Sequence, residues 1–406
     1  MFLISCKKMF VCDEKFSILE NQAFVFEEKI LEFGTLKNLQ KKYPHAKRIQ
    51  SPQNSLILPA FINTHTHLEF SANSYTLHFG DFLSWVKSVM NSRQNLSQKA
   101  KDELILNTLK KMQRTGTGTI GEISSFGSDF QACLQSDMRV IFFNEILGVN
   151  QALNSSKKDE FFKRFQKSLD FQNELFIPAL SVHSAYSTNL ELIEWILALA
   201  QKHGLLLSTH FLESRAENAW LRHGKGGFKK WLKTLDKNAK PFCHPKIFTE
   251  LFKGQRTLFT HCVHLNEFEW LDLKYHSITH CAFSNRLLSQ KTFDLKKALK
   301  SGLNVHLGTD GLSSNISLSM LDEMRTNLLI HRDFELKNFA KKLLLMATFY
   351  PAKALDLNLG SLQTGKSADF SVFEIEDCDE EQLPLQFILH AKEVKKLFIK
   401  GKECKF

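Results

Sequence analysis

The chain has 406 residues, 43% of them hydrophobic, and a formal charge of +10. That length holds a large core and a smaller second unit. No apolar run reaches the ~18–20 residues of a membrane span. The lysines are dispersed in pairs such as Lys41-Lys42, Lys157-Lys158 and Lys341-Lys342, so neither a membrane nor a nucleic-acid partner is expected. Eight cysteines contain no CxxC pair, and Met1–Lys8 lacks the charge-then-apolar order of a signal peptide. Reduced thiols and a cytoplasmic location are the expectation.

Taken in chain order, residues 1–54 read as short strands and turns, for example Ala23-Phe24-Val25-Phe26. Apolar runs then alternate with longer amphipathic segments. The runs are Leu56–Asn63, Gly118–Ser124, Arg139–Glu145, Phe176–His183, Leu205–His210, Thr257–His261, Ser277–Cys281 and Asn304–Asp310. Continuous apolar strands separated by helices predict a parallel sheet buried on both faces, and eight such units predict a (β/α)8 barrel. From about residue 359 the pattern returns to short strands, as in Asp369-Phe370-Ser371-Val372-Phe373. The predicted architecture is α/β: a TIM-like barrel over residues 55–358 beside a small β-sandwich domain formed by residues 1–54 and 359–406.

The chemistry sits at the ends of the runs. His65-Thr66-His67 closes the first one, and in a strand residues i and i+2 point the same way, so two imidazoles can share one ion. His210, His261 and Asp310 close three later runs, and a parallel barrel gathers its catalytic groups at its C-terminal strand ends. His65, His67, His210 and Asp310 offer three imidazoles and a carboxylate. This set suits one divalent metal ion, zinc first and iron(II) as the alternative, with a position left for water. A metal lowers the pKa of such a water to near ~7. Glu213, three residues beyond His210, is placed to carry a proton from water to a substrate ring nitrogen. His261 is placed to hydrogen-bond that water, and Asp310 to accept its second proton. His183 ends the fourth run and is assigned to substrate. Glu69, Glu122 and Glu145 lie near strand ends, where they either bind substrate or orient a ligand histidine. His264 is open between substrate contact and loop structure, while His280 and His306 fall within strands as core residues.

Several segments together resemble the amidohydrolase superfamily, in its branch of mononuclear aminohydrolases acting on purines and related heterocycles. They are Pro59–His67, His210-Phe211-Leu212-Glu213, His261-Cys262-Val263-His264-Leu265, Cys281-Ala282-Phe283-Ser284-Asn285, Gly308-Thr309-Asp310-Gly311 and Gly360–Phe370. The resemblance implies the division of labour just described and a small-molecule substrate; a homodimer is common for this fold. Binuclear members carry a bridging lysine where this chain reads Ser181-Val182-His183-Ser184, which implies one metal. One departure stands out: Ala282 occupies a position that is usually proline.

Within that branch, His65–Ser71, Phe82–Val86, Gly121–Ser125 and Asn144–Gly148 resemble the aminofutalosine deaminases. The implied reaction is hydrolytic deamination of 6-amino-6-deoxyfutalosine to futalosine and ammonia in menaquinone biosynthesis. Trp85, with Phe70 and Phe82, is then expected to wall the substrate's benzoate, and Arg93, Arg215 or Arg286 to meet its charge. The alternatives are deamination of adenosine, methylthioadenosine, S-adenosylhomocysteine or guanine, a triazine-type chlorohydrolase, and, outside enzymes, a metal-free scaffold.

Overall fold

A computed structural model describes residues 1–72, 76–92 and 96–406. Its centre is a parallel barrel of eight strands, hydrogen-bonded in chain order. They are Phe61–Thr66 (β1), Thr117–Ser124 (β2), Arg139–Ile146 (β3), Phe176–Ser184 (β4), Leu207–Phe211 (β5), Thr257–His261 (β6), His276–His280 (β7) and Asn304–Leu307 (β8). The ring closes beside the HxH pair. The Asp310 N–H donates to the His65 carbonyl at 3.0 Å, and Asn63 Nδ2 donates to Thr309 Oγ1 at 2.7 Å. Gly308 permits this approach, since a Cβ there would lie 2.7 Å from Thr279 Cγ2 and 2.9 Å from His65 Cβ.

One expected strand is two. The run Leu56–Asn63 breaks at Ala60, where the backbone changes partners. The Ala60 N–H donates to Asp369 O at 3.1 Å, whereas the Phe61 N–H donates to Gly116 O at 2.8 Å. Ser55–Pro59 thus belongs to the terminal sheet, lying parallel to Phe2–Phe10 and antiparallel to Phe370–Glu374. Hydrophobicity could not reveal this break, because both halves are fully buried.

The terminal segments meet in one eight-stranded sheet. It curls so that strands far apart in its order face each other across phenylalanines, giving the sandwich-like core. Phe24 meets Phe370 edge-on at 5.1 Å, and Phe26 meets Phe398 edge-on at 5.5 Å. The heavy use of phenylalanine is thereby partly explained by ring-on-ring packing. Two short helices interrupt segments read as all-β. Leu36–Lys42 is capped by Thr35, and Leu383–His390 starts with Pro384 in its first turn and buries Leu383, Phe387 and Ile388.

A buried ion pair joins the two units. Arg139, opening β3, pairs with Asp369, whose other oxygen accepts from Ser367 Oγ and the Lys400 N–H. Arg139→Met would strand a buried carboxylate and is expected to cost about 3–5 kcal/mol. A lower denaturation midpoint checks this, and an unchanged midpoint would show the pair to be dispensable.

Candidate active site

Each ligand candidate arrives on the strand end expected of it. His65 and His67 project from the end of β1. Their Nε2 atoms lie 3.2 Å apart, and His67 Nε2 lies 3.1 Å from His210 Nε2. Asp310 Oδ1 is 3.6 Å from His67 Nε2 and 3.9 Å from His65 Nε2. Three ring nitrogens pressed together beside a carboxylate are poorly stable unless a cation lies among them. This convergent N₃O set, all of it buried, fits a single divalent ion.

The surrounding groups orient the ligands. His210 Nδ1–H donates to the His183 carbonyl at 2.9 Å, which turns Nε2 toward the cluster as an acceptor. His65 Nδ1 lies 3.3 Å from Thr260 Oγ1. Asp310 sits in the left-handed region at φ +61°. Its Oδ2 accepts from Ser284 Oγ at 2.7 Å and Ser314 Oγ at 2.8 Å, while Oδ1 accepts the Gly311 N–H at 2.8 Å.

Glu213 and His261 form the second half of the site. Their Oε1 and Nε2 atoms are 3.6 Å apart, and with Asp310 they make a compact cluster of three possible ligand atoms within 4.8 Å. Burial, with the Asp310 and Glu217 charges added, pushes the Glu213 carboxyl well above the usual carboxylate range. A carboxyl so raised can hold a proton and release it. His261 Nδ1–H donates to Asn285 Oδ1 at 2.8 Å, and its buried Nε2 has no hydrogen-bond partner among the described residues.

The carboxylates read as binding substrate or orienting a ligand histidine each hold hydrogen bonds within the protein. Glu69 accepts the Ser125, Phe126 and Ser128 N–H groups and Ser128 Oγ, which organises the loop after β2. Glu122 accepts from Thr66 Oγ1 and the Leu68 N–H, bracing the backbone on both sides of His67. Glu145 accepts from Ser125 and Ser181 hydroxyls behind His210. Buried carboxylates satisfied in this way hold the strand ends and the loops beside them in place. His183 stays near the centre, its ring 4.9 Å from that of His210. Trp85 remains half-buried and ties its helix to the loop after β8 by donating to Ser313 O at 2.8 Å. Phe70 lies 6.0 Å from the His67 ring, whereas Phe82 is buried against Trp85 and Phe228. Arg215 and Arg286 are exposed, and Arg93 lies outside the described residues. His264 is half-buried on Ser289, and His306 is a core residue bonded to Thr64 and Ser277.

Sequence reasoning missed several supporting residues. Glu217 accepts the Leu212 and Glu213 N–H groups at 3.0 and 2.8 Å, fixing the turn that carries Glu213. Glu323 accepts the Ala282 and Phe283 N–H groups. Ala282 therefore supplies a donor that proline would lack, and the unusual residue has a buried partner. The i,i+4 spacing of Glu213 and Glu217 was the one visible signal; Glu323 had none.

The fold and site define a hydrolase with a candidate metal site, and the chain belongs to the Amidohydrolase family, whose profile matches residues 56–404. It is 41% identical over 391 residues to aminodeoxyfutalosine deaminase of a Nitratiruptor species, covering 95% of this chain and 96% of that one. It is 39% identical to adenosine deaminase of Helicobacter pylori, over 98% of each. The crystal structure of Helicobacter pylori aminofutalosine deaminase in complex with methylthio-coformycin matches all of both chains, with a TM-score of 0.92 and 38% identity.

Proposed function

We propose that this chain hydrolytically deaminates 6-amino-6-deoxyfutalosine to futalosine and ammonia, in the cytoplasmic synthesis of menaquinone, using one metal ion held by His65, His67, His210 and Asp310. The 41% identity to the Nitratiruptor enzyme over nearly the whole of both chains carries the substrate assignment. The convergent ligand atoms, with Glu213 beside an unpartnered His261 Nε2, support the chemistry. Zinc is the first choice for three imidazoles and one carboxylate, with iron(II) second. When bound, the metal lowers the pKa of water and so supplies a nucleophile at neutral pH.

The chain's own groups manage the protons. Glu213 takes one from water and delivers it to the purine ring nitrogen next to the C–NH₂ carbon, which makes that carbon electrophilic. His261 Nε2, with its lone pair free in this arrangement, accepts a hydrogen bond from the attacking water and aims it. Asp310 takes the water's second proton, which leaves with the amine as ammonia. Water's oxygen thus replaces the amino nitrogen, and no oxidant is involved. His183, Trp85 and Phe70 line the nucleoside and its benzoate, with Glu69, Glu122 and Glu145 at the same strand ends contacting substrate or holding the groups that do.

The relative named adenosine deaminase, at 39% identity, supports deamination of adenosine as the second reading. Competitive ammonia-release assays separate the two. Discrimination by an apolar wall that fits the benzoate is worth about 10–200-fold in kcat/KM. Aminodeoxyfutalosine is therefore expected to exceed adenosine, methylthioadenosine, S-adenosylhomocysteine and guanine by at least ~10-fold. Faster turnover of any of these would overturn the substrate assignment and leave the deaminase chemistry standing.

A further inference from the structure

The unpartnered Nε2 of His261 is one end of a buried hydrogen-bond chain that runs away from the site. His261 Nδ1 meets Asn285 Oδ1 at 2.8 Å, and Asn285 Nδ2 meets His280 Nδ1 at 3.2 Å. His280 Nε2 then meets His331 Nε2 at 2.9 Å. His261 and His280 are fully buried, Asn285 is 1% exposed and His331 7% exposed. The chain crosses four elements: the end of β6, β7, its following helix Ala282–Leu288, and the C-cap of helix Met320–Ile330.

The amide at its centre allows only one direction of donation. Asn285 Oδ1 can only accept, so His261 must carry its proton on Nδ1. Asn285 Nδ2 can only donate, so His280 Nδ1 accepts and the His280 proton sits on Nε2. That proton is donated to His331 Nε2. Burial keeps His280 and His331 neutral, holding His331 at about 4, so each ring has one donor and one acceptor to place. His331 lies between Phe334 and Phe339, with Asp294 and Asp333 the nearby charges.

We infer that His280 and His331, acting through Asn285, are positioning residues that set the tautomer of His261 and so present its Nε2 lone pair to the attacking water. This rests on the role given to His261 above. Without an acceptor at residue 331, the buried His280 Nε2–H loses the partner it has in this arrangement, and the side chain of Asn327, which also bonds the His280 ring, is the one acceptor remaining beside it among the described residues. Moving the proton to Nδ1 would set it against the Asn285 amide N–H. Turning that amide would then present an N–H to His261 Nδ1 and push its proton to Nε2. The disturbance reaches the reacting side of His261 although residue 331 touches no substrate.

Two substitutions at one position test this on the metal-loaded, full-length enzyme. His331→Phe keeps a ring against Phe334 and Phe339 but offers no acceptor. Its kcat is expected to fall about 10-fold, the effect of one misdirected hydrogen bond, with KM and metal content within about twofold of wild type. His331→Gln supplies a carbonyl acceptor and is expected to recover most of that loss. If phenylalanine fails to fold by circular dichroism, His331→Leu takes its place with the same expectation. A packing role predicts the opposite order, with the apolar variants active and glutamine impaired. That order, or an apolar variant at wild-type kcat, overturns the inference. His261→Asn separates the two levels: an active His261→Asn enzyme removes the catalytic role of His261 itself. An inactive one beside a fully active His331→Phe removes only the chain.

Discussion

Glu213→Gln is expected to lower kcat by at least ~10²–10⁴-fold while leaving the bound metal in place, because general acid–base groups contribute on that scale. Glutamine keeps the shape of the side chain and the 3.6 Å approach to His261, but it cannot take a proton from water and hand it on. The environment around Glu213 supports this role. Its carboxyl is buried, lies near Asp310 and Glu217, and is held well above the ordinary carboxylate range. Glu217 pins its backbone through two N–H groups, so the substitution changes the chemistry of the group and not its position. The measurement is steady-state kinetics with metal content determined on the same preparation. A variant within about threefold of wild type would mean that another group carries the proton.

His210→Ala is expected to empty the metal site or weaken it severely. His210 Nε2 is 3.1 Å from His67 Nε2 and shares no strand with the other ligands, so its loss removes one of the three converging ring nitrogens. Metal analysis of the purified protein should find about one divalent ion per chain in the wild type and little in the variant. Full occupancy and activity after the substitution would strike His210 from the ligand set. Two well-occupied ions in the wild type would overturn the single-metal arrangement.

The strand-end positions of His65, His67, His210, His261 and Asp310 were readable in the sequence because each closes an apolar run. Two regularities then suffice: residue alternation along a strand and the gathering of strand ends at one mouth of a parallel barrel. Glu213 was readable for the same reason, lying just past such an end.

Other assignments depended on what stands opposite a side chain in space. Glu69, Glu122 and Glu145 have the same sequence setting as a substrate-binding carboxylate. Only the folded loops show their oxygens taken by N–H and hydroxyl groups. The break at Ala60 was hidden because two different sheets bury both halves of one apolar run equally. Asn285, His280 and His331 come together from separate elements, the last of them 51 residues from His280, and no periodicity spans that distance. Local patterning thus determined the barrel, its order and the identity of the candidate metal ligands, since those follow from strand period and burial. Which polar groups face the reacting centre and which support it was decided by tertiary structure alone, because a hydrogen bond requires its partner's direction as well as its presence.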